Sequence, residues 1–111
     1  MSPIYELPIQ VNRTYATQVG LENAIAMSVI VEFILPRYDQ YSQEIHDYIL
    51  ETSINELQGR LSFFTHKDVW ECLHGLVTYG HLVIVSPHGL PSRYEHKFSC
   101  KLVKAGDSHE L

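Results

Sequence analysis

Residues 54–80 carry the helix signals that constrain the fold of this chain most tightly. Thr65 and Asp68 form a capping pair, because the threonine hydroxyl can accept the amide three residues on while the carboxylate reaches back. Four apolar residues then recur at helical spacing: Val69, Leu73, Leu76 and Val77. Gly80 ends the run, so the spacing predicts a helix over residues 65–79.

A second helix and two strands are predicted around this one. Ser53 and Glu56 repeat the capping pattern and open a short helix just before the turn. Residues 48–50 could form a short strand, and residues 81–85 form another beyond the second helix. A hairpin tip is predicted over residues 87–92, where glycine and two prolines occur together.

The run over residues 93–102 is typical of a half-buried strand. One set of side chains alternates with a largely charged set: Tyr94, His96, Phe98, Cys100 and Leu102 against Arg93, Glu95, Lys97, Ser99 and Lys101. The alternation predicts that His96 faces the core or a subunit contact. Helix, short strand, helix, turn, helix and two strands is the order of a winged helix-turn-helix, so we predict an α+β fold with a two- or three-stranded wing sheet.

The N-terminal part of the chain predicts self-association. Pro3 and Pro8 favour an extended arm, followed by a short turn of helix over residues 12–18 and a long helix over residues 21–35. The apolar residues of the long helix occupy more than one face of it, so the helix is predicted to be buried on two sides. One of these sides could pack against another subunit. The predicted self-association surface comprises Ile4, Tyr5, Leu7, Ile9, Val29, Ile30, Phe33 and Ile34. The arm spans residues 1–20, the winged-helix domain residues 21–103 and a flexible tail residues 104–111.

Composition bounds the functional classes. The 111 residues carry a formal charge of -5 and only eight basic residues, which disfavours a nucleic-acid binder, because phosphate contacts come from lysine and arginine. Two cysteines are too few for a secreted disulfide scaffold, so both are predicted to be reduced core residues of a cytoplasmic protein. We expect no membrane span, no metal site, no cofactor and no enzymatic activity, because none of their sequence signals is present.

The predicted second helix and the wing also supply a candidate nucleic-acid surface. The start of such a helix enters the major groove in this motif class, and a wing can clamp the phosphate backbone. The candidate residues are His66, Lys67, Trp70, His74, His88, Arg93 and Lys97. The alternative is a solvated face, on which Lys67 and Glu71 form a helical ion pair that cancels its own charge. Trp70 is then an interface or core aromatic.

The opening of the chain resembles that of a replication family. Residues 7–11, Ala16 and residues 19–25 are similar to the opening phrase of bacterial and phage primosomal proteins of the DnaT and DnaD type. Residues 61–65 are similar to their aromatic turn, and residues 69–83 to their following helix and strand. The chain departs from the family pattern where Glu and Asn are transposed at positions 22 and 23, and where the arginine-rich helix carries Lys67, Trp70, Glu71 and His74 instead. The resemblance implies a winged helix used for oligomerisation.

Three functions remain open from the sequence. The first is a non-enzymatic, self-associating module of replication initiation or helicase loading. Such a module would be a homodimer or a higher oligomer, and its partner would be a replication protein such as a helicase. The second is a DNA-binding transcriptional regulator, which predicts salt-sensitive binding weakened by Lys67→Glu and Arg93→Glu. The third is a protein-only adaptor or a phage-encoded inhibitor.

Overall fold

Helices and a small antiparallel sheet alternate along the chain in the computed structural model, which describes residues 13–87 and 89–103. The helices are α1 (Arg13–Val19), α2 (Leu21–Ile34), α3 (Ile54–Arg60) and α4 (His66–Thr78), and a single 3₁₀ turn covers Ile45–Asp47. The strands are β1 (Leu50–Ser53), β2 (Leu82–Ser86) and β3 (Lys97–Leu102), in the order β1-β3-β2. The predicted α+β class is confirmed.

Helix α2 forms the centre of the helical layer and is covered by its own chain. It packs against α1, α3 and α4, and Val29, Ile30 and Ile34 are fully buried in the core. These three side chains therefore cannot also contact a second copy, which corrects their assignment to the self-association surface. Phe33 is partly buried against the same core. The other four residues of that predicted surface lie outside the described part of the chain: Ile4, Tyr5, Leu7 and Ile9.

The capping box predicted at Thr65 is complete, whereas the one predicted at Ser53 is formed only by its hydroxyl. The Asp68 amide donates to Thr65 Oγ1 at 3.0 Å, and the Thr65 amide donates to Asp68 Oδ2 at 2.9 Å. The Glu56 amide donates to Ser53 Oγ at 3.2 Å, while the Glu56 carboxylate lies 3.6 Å from Lys97 Nζ. Each cap satisfies an amide that has no partner inside its helix, so the caps fix where α3 and α4 begin.

The Thr65→Ala variant tests the cap of α4. It removes the acceptor for the Asp68 amide, and we expect the free energy of unfolding to fall by about 1 kcal/mol in urea titrations followed by circular dichroism. Thr78→Ala is the matched control, because Thr78 is an exposed threonine of the same helix outside the cap. That control should change stability by less than about 0.5 kcal/mol. Equal losses in the two variants would contradict the capping role.

Gly75 of α4 faces the Asn23 side chain of α2. A Cβ atom at this position would lie 2.8 Å from Asn23 Nδ2, which is inside van der Waals contact. Asn23 is held in place because its Nδ2 donates to Val19 O at 2.9 Å. The glycine therefore leaves room for the Asn23 side chain between α4 and α2.

The strands differ from the prediction at two ends. Strand β1 runs from Leu50 to Ser53 and shares only Leu50 with the predicted range of 48–50. Its bounds follow from its pairing with β3, in which Leu50 lies opposite Cys100 and Ser53 opposite Lys97. Strand β3 begins at Lys97, since the residues before it form a turn in which the His96 amide donates to Arg93 O at 3.2 Å. Tyr94 and His96 are exposed, so the prediction that His96 faces the core is wrong, and a subunit contact is the alternative that stays a prediction. Phe98 and Cys100 are buried, as predicted.

Candidate functional site

The outward face of α4 carries the side chains that the sequence placed there. Lys67, Glu71, His74 and Thr78 are all exposed. Trp70 is partly buried and stacks on His74, with ring centroids 5.2 Å apart and planes 9° from parallel. The ion pairs among residues 13–87 and 89–103 join other side chains, so the expected pair between Lys67 and Glu71 is not formed. The face combines a stacked aromatic pair with one lysine and one glutamate.

The start of α4 lies beside the segment that precedes β3. The His66 ring stacks on Tyr94, with centroids 5.2 Å apart and planes 9° from parallel. Of the predicted phosphate-binding cations, Arg93 belongs to this segment and Lys97 is the first residue of β3, whereas His88 lies outside the described residues. The structure therefore brings the predicted helix start and wing cations to one side of the molecule.

Carboxylates accompany those cations. Arg93 lies 3.6 Å from Glu95, and Lys97 lies 3.6 Å from Glu56 on α3. A hydrogen bond from its own backbone amide, followed by the charges of His96 and Arg93, lowers the pKa of Glu95 and keeps its carboxylate ionised. Exposed pairs of this kind add little stability, but each places a negative charge where a phosphate would have to approach. The side chains around the helix start are therefore poorly suited to bind an anionic backbone.

An apolar cleft runs between α4 and the free side of β2, and we call it the α4–β2 cleft. Its volume is about 440 Å³. The lining residues come from α4, β2 and the segments that flank β2 and β3: Trp70, His74, Val77, Gly80, Leu82, Val83, Ile84, Gly89, Leu90 and Val103. Of the predicted site residues that the structure describes, Trp70 and His74 line the cleft.

Two valines of the cleft are unusually exposed for apolar side chains. Val77 on α4, one of the four apolar residues at helical spacing, is 37% exposed. Val83 on β2 is 42% exposed. The sequence did hold a signal for the cleft, since residues 82–85 are continuously apolar in a sheet that is covered on one face. Exposed apolar side chains that line a concavity mark sites of macromolecular contact more often than isolated ones do.

A second, polar groove adjoins this cleft, and we call it the acidic groove. It has a volume of about 810 Å³ and lies between residues 40–47 and the paired ends of β2 and β3. Glu44 and Asp47 contribute carboxylates, and Lys101 contributes one ammonium group. The Glu44 carboxylate also lies 2.8 Å from His46 Nε2. Val83 and Val103 line both concavities, so the two form one continuous surface.

The residue before β2 ties α1 to this region. His81 Nδ1 and the Tyr15 hydroxyl are 2.8 Å apart, and burial raises the pKa of Tyr15 to about 12. At neutral pH the phenol is therefore protonated and can donate to the histidine nitrogen. The contact holds α1 against the beginning of β2.

The cysteines are reduced and buried, as predicted. Burial, with smaller contributions from Glu22, Asp68 and Glu71, raises the pKa of Cys72 to about 11. Burial alone raises the pKa of Cys100 to about 12. The nucleophilic form of a cysteine is the thiolate, so neither sulfur is reactive at neutral pH. Within the described ranges, no three His, Cys, Asp or Glu side chains lie close enough to hold a metal ion.

No protein-family model, curated protein or solved structure matches this chain. Among the helices in the described part of the chain, none combines the length and the apolar character needed to cross a lipid bilayer.

Proposed function

We propose that this chain is a non-enzymatic winged-helix module that binds other proteins through the α4–β2 cleft in the course of macromolecular assembly. The order of elements supports the winged-helix assignment. Helix α2, strand β1, helices α3 and α4, and then β2 and β3 follow one another, and the sheet order is β1-β3-β2. The connection between β2 and β3 then corresponds to a wing, and α4 to the second helix of a helix-turn-helix.

The apolar cleft beside α4 is the observation that carries the proposal. A DNA-reading member of this motif class needs basic side chains on the second helix and the wing. Here the outward face of α4 offers Trp70 and Val77 over an apolar concavity, and its one lysine and one glutamate give it no net formal charge. Protein interfaces are enriched in exposed aromatic and apolar side chains of this kind.

DNA binding is the second candidate, and one specific observation favours it. Lys67 is exposed at the start of α4, and no carboxylate of residues 13–87 and 89–103 lies within ion-pairing distance of it, on the side where His66 stacks on Tyr94. This candidate predicts binding to a labelled duplex at low salt that Lys67→Glu weakens. The carboxylates beside Arg93 and Lys97 argue against it.

The resemblance to primosomal proteins supports replication initiation as the setting of the assembly. Self-association remains part of this proposal through the arm and the partly buried Phe33, because Val29, Ile30 and Ile34 are buried in the core of one chain. A dimer would then be the default form, since a self-complementary surface closes on itself.

A peptide-display selection against the folded chain tests the protein-binding proposal. We expect enriched peptides whose binding perturbs the backbone amide signals of α4 and β2 in nuclear magnetic resonance spectra. A labelled duplex and a labelled single strand, titrated in parallel at low salt, should give no change in fluorescence anisotropy. Enriched peptides that perturb only other elements, or DNA binding that Lys67→Glu weakens, would contradict the proposal.

A further inference from the structure

Strand β2 has a free edge that opens into the α4–β2 cleft. The sheet order places β3 in the centre and β2 at one side. His81 pairs with Val103, whose amide donates to His81 O at 3.1 Å. The pair Val83 and Lys101 lies two residues away, after His81 on one strand and before Val103 on the other. In an antiparallel pair, the residues between two such positions direct their amides and carbonyls away from the partner strand.

Leu82 lies between those positions, and Ile84 continues the same alternation beyond Val83, up to the register shift between Ile84 and Ser86. The backbone groups of both residues therefore face away from β3. Both residues also line the cleft. The cleft therefore presents amides and carbonyls at strand spacing along one wall and apolar side chains along the other. An extended chain can satisfy both walls together, because its backbone bonds to the strand edge while alternate side chains fill the concavity. A helical ligand would leave the backbone groups of Leu82 and Ile84 without partners from the ligand.

The charges of the acidic groove indicate which residues the bound peptide carries at one of its ends. Val83 and Val103 connect the cleft to the acidic groove, where Glu44 and Asp47 face one lysine. The chain as a whole has a formal charge of -5. A ligand that continues from the cleft into the groove is therefore favoured if it carries lysine or arginine there.

We propose that the α4–β2 cleft binds an extended, apolar peptide segment of a partner protein, flanked by basic residues, as an added strand on β2. This inference rests on the proposed function and specifies the form of the partner. The apolar alternate residues of the segment pack against Trp70 and Val77, and its basic flank lies beside Glu44 and Asp47.

A designed peptide tests the strand addition. The probe is a peptide of seven residues with a lysine as its first and last residue and with valine and threonine alternating between them. Both of its termini are chemically blocked. Two further probes carry N-methyl groups on the odd-numbered or on the even-numbered residues. A strand bonds to its neighbour through every second residue, so one methylated probe should lose affinity by about tenfold or more while the other retains it. Spectra of the full-length, isotope-labelled chain should show perturbed amides along β2 and α4.

Charge changes test the flank. Replacement of the lysines of the probe by glutamates, and Glu44→Lys in the chain, should each weaken binding by about threefold or more at low salt. Glu51→Lys is the matched control, because Glu51 is an exposed glutamate on β1 at the opposite edge of the sheet. This control should leave the affinity unchanged. An equal effect of Glu44→Lys and Glu51→Lys would overturn the assignment of the basic flank.

The remaining outcomes separate this inference from the proposed function. Equal binding of both methylated probes in the cleft would overturn strand addition and leave a protein-binding cleft in place. No binding of the parent probe would also overturn the inference, while the display selection would still decide the proposed function. Tighter binding of a synthetic peptide of residues 4–11 than of the basic probe would overturn the basic partner and assign the edge to the N-terminal segment of this chain.

Discussion

The Phe98→Ala variant should lose about 3–5 kcal/mol of unfolding free energy, the cost typical of deleting a fully buried aromatic ring. Phe98 is 1% exposed and lies on the central strand β3, opposite Thr52. Its removal leaves a cavity between the sheet and the helices, because the surrounding side chains can relax only in part. Domains of this size have roughly 5–15 kcal/mol of stability in total, so this single change removes a large share.

Phe63→Ala is the control of equal size. The Phe63 ring is 49% exposed and packs edge-on against Phe64, with centroids 4.8 Å apart. Its removal should cost about 1 kcal/mol, because only part of the ring leaves water. Urea titrations followed by circular dichroism measure both values. A similar loss in the two variants would show that Phe98 is not at the centre of the core.

Alkaline pH should destabilise the protein through Cys100. The unfolded thiol ionises near its ordinary pKa of 9, whereas burial holds the folded thiol neutral until about pH 12. Between these values the unfolded state binds fewer protons, so the free energy of unfolding falls as pH rises, and below pH 9 the contribution is fully present. At about 1.4 kcal/mol per pH unit, Cys100 accounts for a loss of about 3 kcal/mol between pH 8 and pH 11.

The Cys100→Ala variant isolates this effect from other groups that titrate in the same range. Its stability at pH 8 should be lower, because a smaller side chain replaces a fully buried one. Its further loss between pH 8 and pH 11 should be smaller than that of the wild type by about 3 kcal/mol. Urea titrations at the two pH values give the comparison. Equal alkaline losses in the two proteins would contradict a buried, neutral Cys100.

The helices were predictable because their signals are local. Each signal depends only on neighbouring residues: the caps at Ser53 and Thr65, and the apolar spacing of residues 69–77. Helices α3 and α4 begin where those signals indicate. The sequence predicted strand β1 too early in the chain, because the polar residues of β1 are not typical of a strand. Thr52 is nevertheless fully buried, since it pairs with Phe98 on the central strand. Only the register with a distant part of the chain determines where β1 lies.

The candidate site was less predictable because it is assembled from distant segments. The sequence singled out Trp70 and His74 but gave no reason to place them beside residues 82–84 and Val103. It placed Lys97 on a charged strand face but gave no sign that Glu56 of α3 would lie opposite. These pairings depend on how α4 packs against the sheet, and that packing is a property of the whole fold.

Affinity measurements on two valine variants test the central claim most directly. Val83 and Val85 lie on β2 and are each 42% exposed, but only Val83 lines the α4–β2 cleft. A peptide enriched by display should bind Val85→Glu as it binds the wild type and should bind Val83→Glu at least about tenfold more weakly, because a carboxylate would be buried against apolar groups. Equal affinity for all three proteins, or equal losses in both variants, would contradict binding through the cleft.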